Sequence, residues 1–301
     1  MITINFIPNT YIRFDKALFE KHFNCISDRN NANCDFVIVN NSVPEWVDPK
    51  RCILQMTEPP LLPYWEKNYI EKHKYHTVFT YLPSGPNEFL FNEDPIGYPF
   101  TIGSKEITRQ NTTIKTRGIF YSGMRGEYEY PKIHKSINAI DIRPLRRHTI
   151  EWFLTNTQQI YVYGKGWDKN TRNSKIGWIN QKFIDIEENH CDFIIAMENM
   201  MIPAYITEKL LQGFMLDRVV LYLGEPNITK YVPSNTFIDL RPYYKNNTLD
   251  FPAILNRIQT ITQLEYDNIL NHAREFRKTL IGKYHKSDIQ LSEFMIQRIY
   301  K

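Results

Sequence analysis

Short apolar runs alternate with amphipathic stretches along the whole chain. Residues 3–8 (TINFIP) form a strand-sized run, and residues 12–23 place apolar side chains at helical spacing. Residues 35–39 (DFVIV) and 52–56 (CILQM) read as buried strands. Residues 62–73 read as a helix and residues 76–81 (HTVFTY) as a further strand. A loop-rich stretch follows over residues 83–100, rich in proline and glycine. Residues 103–116 are polar and lack apolar periodicity, which marks a linker.

The alternation then restarts. Strands are expected at 118–122 (GIFYS), 160–164 (IYVYG), 192–197 (DFIIAM) and 219–223 (VVLYL). Helices are expected at 145–156, 207–215, 252–261, 264–280 and 286–299. Strands that alternate with helices predict an α/β fold with parallel sheets. Two such runs joined by one linker predict two Rossmann-like domains. The expected bounds are 1–105, then 116–285, with residues 286–301 as a terminal helix that returns to the first domain. Ligands of open α/β sheets sit at the C-terminal ends of the strands.

Composition narrows the function classes. The 301 residues are 42% hydrophobic and 23% charged, which is globular rather than disordered. A net charge of +4 suits a small anionic ligand but supplies no nucleic-acid footprint. The N-terminal run lacks the basic start and longer apolar core of a secretory signal. No apolar stretch reaches the roughly 18 residues of a membrane span, so a soluble cytoplasmic protein is expected. Cys25, Cys34, Cys52 and Cys191 show no metal-binding spacing, and in that compartment they are expected reduced. The histidines are scattered, so no metal site is expected.

Chemistry concentrates in residues 192–240. A strand ends at Met197, and Glu198 and Asn199 follow at its C-terminal end. Thr207 reads as an N-cap, which puts Glu208 and Lys209 in the first helical turn. Helix N–H groups and a lysine there suit an anion such as a diphosphate. The next strand ends at the Gly224-Glu225-Pro226 turn, on the same edge of the sheet. A nucleoside diphosphate leaving group gathers negative charge in the transition state, and a fixed lysine, an arginine and helix N–H groups can stabilise it without a metal. Tyr205 offers a ring face for a base or sugar.

Taken alone, Glu208 and Lys209 are an ordinary first-turn charge pair; the surrounding pattern changes that reading. The segment resembles the donor-binding signature of the α-1,3/α-1,4-fucosyltransferases, the family 10 glycosyltransferases. The residues that carry the resemblance are Phe193–Asn199 (FIIAMEN), Tyr205–Lys209 (YITEK), Val220–Pro226 (VLYLGEP) and Pro233–Ile238 (PSNTFI). The resemblance implies a GT-B arrangement of two Rossmann-like domains facing across a cleft. It further implies an inverting transfer of a sugar, L-fucose from GDP-fucose by default, to a hydroxyl of an acceptor glycan, with no required cofactor. Lys209 would neutralise the diphosphate, Glu208 would hold donor hydroxyls and Tyr205 would line the nucleotide site. Glu198, Asn199, Thr207 and Gly224 complete the implied donor set. The family also uses an arginine at the start of the first donor-domain helix. Arg143, Arg146 and Arg147 are candidates, and Arg147 is favoured because Ile150 and Leu154 follow at the spacing of a buried face.

The chain departs from the family pattern at Met200 and at Val219-Val220, which admits another donor such as UDP-xylose. An inverting transfer needs a base for the acceptor hydroxyl. Glu58, Glu88 and Asp94 are the candidates, with Glu93 beside them. Lys165, in a glycine-containing turn, is a weaker donor contact. A non-catalytic glycan-binding protein on the same fold is the reading of a different class.

Overall fold

The computed structural model describes residues 1–7, 14–41, 43–56, 67, 71–80, 88–90, 108–123, 140–164, 166–167 and 186–300. These fall into two α/β units. The described residues of 1–90 and 281–300 form the first, and those of 108–123 and 140–280 the second.

The first unit contains β1 (Thr3–Phe6), α1 (Lys16–His22), β2 (Asn24–Ile26), β3 (Phe36–Asn40), β4 (Cys52–Gln55), β5 (Thr77–Thr80) and β6 (Glu88–Leu90). They build one parallel sheet of six strands in the order β2-β1-β3-β4-β5-β6. The strands are apolar on both faces because both faces are covered. Ile4, Ile38, Ile53 and Phe79 face a cluster with Phe19 of α1. Val37, Val39, Leu54 and Val78 face the opposite cluster with Tyr75. Asp15 caps α1, its carboxylate accepting the Leu18 N–H at 2.8 Å.

The second unit contains β7 (Gly118–Ser122), β8 (Ile140–Asp141), α2 (Arg143–Asn156), β9 (Ile160–Tyr163), β10 (Cys191–Met197), β11 (Met200–Met201), α3 (Glu208–Met215), β12 (Val219–Leu223), β13 (Ile238–Asp239), β14 (Tyr244–Lys245), β15 (Thr248–Leu249) and α4 (Phe251–Thr260). Its five-stranded parallel sheet has the order β13-β12-β10-β7-β9. All seven residues of β10 are buried, as befits a central strand. Counted along the chain, both sheets place their second strand outside the first and the third to fifth on the other side. In the second unit this order reverses between β7 and β10, and the crevice above such a reversal is where open α/β sheets bind ligands.

Three expectations change. The polar segment over 103–116 is not a free linker where it is described. The N–H groups of Lys115, Thr116 and Arg117 all donate to one oxygen of buried Asp192, at 3.1, 3.1 and 2.9 Å. Arg109 N–H donates to Asp217 at 2.7 Å. Polar residues thus secure the segment to the second unit. The two helices expected over 264–280 and 286–299 are one helix, α5 (Gln263–Ile299). Gly282 between them costs only about 1 kcal/mol in a helix, and no proline interrupts it. The stretch over 83–100 also holds a strand, β6. The helix expected over 62–73 lies mostly outside the described residues.

The four cysteines are free thiols. Among the described residues, no helix is long and apolar enough to cross a membrane.

Candidate functional site

The end of β10 is the chemical centre of the second unit. Glu198 follows the last residue of the strand, and its N–H donates to Leu223 O of β12 at 2.9 Å. This ties the two strand ends together. The Glu198 side chain is 0% exposed. Its carboxylate accepts the Thr207 N–H at 2.8 Å and the Thr207 hydroxyl at 2.5 Å. Burial pushes its pKa up, and Lys209 and the Thr207 bonds oppose that rise.

Thr207 is the N-cap of α3, with extended backbone and its hydroxyl oxygen accepting the Lys209 N–H. The same oxygen accepts from Lys209 Nζ at 3.0 Å. Lys209 Nζ also lies 3.2 Å from Glu208 Oε1 and 3.5 Å from Glu198 Oε2. Lysine and Glu208 keep 23% and 24% of their side-chain surface exposed. A cation therefore stands at a helix N-terminus, braced from below by a buried carboxylate and open above. This arrangement suits an anionic ligand.

The structure brings Gly224 to the same place. A Cβ there would collide with Glu198 Cγ and the Tyr222 hydroxyl, so only glycine fits. Gly224 thus acts by making room for Glu198. Asn199 Oδ1 accepts from Arg146 at 2.8 Å, and Asn199 O accepts the Ile142 N–H.

Several expectations need correction. Tyr205 presents no open ring face, because it is 0% exposed among the largest buried side chains. Glu198 is likewise sealed from solvent, so it braces Lys209 and Thr207 from inside. Of the α2 arginines, Arg146 is the one that reaches the strand end, donating to Met197 O at 3.3 Å as well as to Asn199. Arg147 lies on the exposed side of α2, 3.9 Å from Glu151. Arg143 is held by Asp141 through two guanidinium bonds. Met200 is 0% exposed in β11 and pairs with Asp141 of β8. Val219 and Val220 are also 0% exposed, and Val220 lies against Gly213 of α3. The departures from the family pattern therefore fall on packing positions.

The base candidate Glu88 is engaged inside the first unit. It opens β6, opposite Val78 near the start of β5, and forms a buried ion pair with Lys72. That is the N-terminal edge of the sheet, away from the strand ends that bind ligands. Glu58, Glu93, Asp94 and Lys165 lie outside the described residues.

Sequence reasoning missed two members of the site. The Tyr222 hydroxyl accepts the Glu225 N–H at 3.2 Å and donates to Glu198 Oε1 at 3.4 Å. Glu225 is 0% exposed, accepts the Ala204 N–H at 3.2 Å, and has its pKa raised by burial. Both lie within the VLYLGEP block, where strand alternation hides Tyr222 and a turn hides Glu225. The PSNTFI block contributes Phe237, which meets the Tyr222 ring edge-on at 5.9 Å. Phe237 also lines a cavity of about 410 Å³ with Ser234, Asn235, Tyr243 and Arg257.

Comparison with known proteins points the same way. Residues 137–279 match the model for the C-terminal part of glycosyltransferase family 10 (fucosyltransferase). The chain is 26% identical over 129 residues to the 4-galactosyl-N-acetylglucosaminide 3-alpha-L-fucosyltransferase 9 of Cricetulus griseus, a match covering 42% of this chain and 33% of that protein. It is 39% identical over 61 residues to the GDP-fucose protein O-fucosyltransferase 3 of Xenopus laevis, covering 19% of this chain and 13% of the relative. The chain thus spans about a third or less of the relatives it matches. A solved α1,3-fucosyltransferase with GDP superposes with a TM-score of 0.53 at 11% identity, covering 89% of this chain and 81% of that one. The fold is therefore of the GT-B class, with Rossmann-like units on parallel sheets. The family that residues 193–240 resemble is the family whose model matches residues 137–279: the similarity is to the C-terminal part of the family 10 glycosyltransferases, the fucosyltransferases.

Proposed function

We propose that the chain is an inverting glycosyltransferase that moves L-fucose from GDP-fucose to a hydroxyl of an acceptor glycan. The observation that carries this is Lys209: partly exposed at the first turn of α3, braced by buried Glu198, at the strand ends of the second unit. In the proposed step the acceptor oxygen bonds the anomeric carbon as the bond to the diphosphate breaks. The acceptor proton passes to a base, and GDP leaves with the bonding electrons. Lys209 and the N–H groups at the start of α3 take up the charge that develops on the leaving phosphate. Positive charge from the protein replaces a metal ion in this scheme.

Glu208, beside Lys209, is proposed to hold hydroxyls of the donor. Arg147 is proposed as a second phosphate contact, since its exposed pairing with Glu151 at 3.9 Å holds it only weakly. Glu58 and Asp94 remain the proposed bases.

Calorimetric titration with GDP and UDP tests the reading, together with release of nucleotide from GDP-fucose and UDP-xylose. GDP is expected to bind and GDP-fucose to be turned over. Failure to bind either nucleotide would falsify the proposal. Binding without any donor hydrolysis or transfer would favour the non-catalytic glycan-binding protein instead.

A further inference from the structure

The loop between β10 and α3 is held by two buried carboxylates, one from each strand end. Glu198, after β10, accepts the N–H of Thr207. Glu225, after β12, accepts the N–H of Ala204. The Tyr222 hydroxyl stands between them, receiving the Glu225 N–H and donating to Glu198. Ala204 needs this hold. Its φ is +63°, a left-handed conformation that costs an alanine about 1–3 kcal/mol and persists only where its surroundings impose it.

Two carboxylates beneath an anion site oppose the anion electrostatically. Both are 0% exposed and covered by the loop they bond, so direct ligand contact does not explain them. A mechanical role does. We infer that Glu225 and Tyr222 are positioning residues of the proposed transfer, which together with Glu198 fix the 202–207 loop and thereby the placement of Lys209. The inference rests on the reading of Lys209 as the diphosphate contact. It explains why the strand ends carry acidic residues beside a site for an acidic ligand: they act on backbone N–H groups, and Lys209 faces the ligand.

The test has two arms. Amide hydrogen exchange reads the clamp without any ligand. Glu225→Gln and Tyr222→Phe should each speed exchange at the Ala204 and Thr207 amides at least tenfold, and leave the β10 amides unchanged. The second arm is a double-mutant cycle with GDP as the probe. Each variant should weaken GDP binding about tenfold in the wild-type background and less than twofold in a Lys209→Ala background, because the effect travels through Lys209. Unchanged exchange at Ala204 and Thr207 would overturn the clamp. Equal losses with and without Lys209 would reduce Glu225 and Tyr222 to ordinary structural residues. A wild-type protein that binds neither GDP nor UDP would overturn the functional reading, and the positioning role with it, while the exchange arm still decides whether the clamp exists.

Discussion

In the first unit Glu88 meets Lys72 with side-chain exposures of 2% and 10%, and in the second Glu198 meets Lys209 with exposures of 0% and 23%. The residue types are the same, and each glutamate is buried at a sheet edge. The edges differ. Glu88 opens β6 at the N-terminal edge of its sheet, whereas Glu198 follows β10 at the C-terminal edge. The company differs too. In the second pair the glutamate is saturated by Thr207, which leaves the lysine turned partly outward at a helix start. The lesson is that a buried acid–base pair has no function by type. The strand end it occupies and the surface left on its lysine decide what it can do.

The contrast is best broken at its most costly point. Lys72→Ala should remove about 3–5 kcal/mol of stability, because it breaks a buried ion pair by deleting one charge. Denaturant melts read this loss, and GDP affinity of the folded variant should stay within twofold. A tenfold loss of GDP affinity would erase the distinction between the pairs. Lys209→Ala should do the reverse, weakening GDP by roughly 10- to 100-fold, the value of a hydrogen bond to a charged group. Titration of the two variants side by side makes the comparison direct.

Arg147→Ala should cost GDP binding about 3- to 10-fold, in the range of one ordinary hydrogen bond. Its melting temperature should stay within about 1 °C, since exposed ion pairs contribute little. If Arg146→Ala weakens GDP while Arg147→Ala does not, the phosphate contact belongs to the arginine that already holds Asn199.

The smallest effect is a pH trend. The folded-state pKa of Glu198 is raised, chiefly by burial. Its neutral form therefore supports the fold fully below the ordinary carboxylate range, and that support is lost as pH rises through the raised value. Thermal melts of wild type and Glu198→Gln across pH 4.5 to 7 should show the wild type losing ground to the variant as pH rises. Parallel curves would show that Glu198 is charged throughout.

Much of this was legible in the chain. The parallel strands announced themselves as runs such as FVIVN and VVLYL, apolar on both faces, and Thr207 announced its helix by the cap chemistry of its hydroxyl. The positions of Glu198 and Lys209 followed from strand end and helix start. What sequence could not give was direction. It put Tyr205 against a ligand when the ring lies inside, and it did not show that Arg146 is the arginine that holds the end of β10. One residue on α2 turns a side chain by about 100°, and no apolar pattern resolves which of two adjacent arginines points inward. Short edge strands such as β8 and β11 were equally hidden, since two residues make no period.

The helix α5 has a consequence for how the protein is made. Leu291, Met295, Ile296 and Ile299 lie in the same cluster as Ile4, Phe19 and Ile38. Ser292 accepts the N–H of Asp15, 277 positions earlier. The second unit draws its described residues from 108–280, so it can close as soon as that stretch leaves the ribosome. The first unit, although synthesised earlier, lacks part of its interior until residue 299 emerges. Domains usually fold in the order of their synthesis. Here completion runs the other way: one flank of the nascent first sheet stays partly uncovered until the end of α5 emerges.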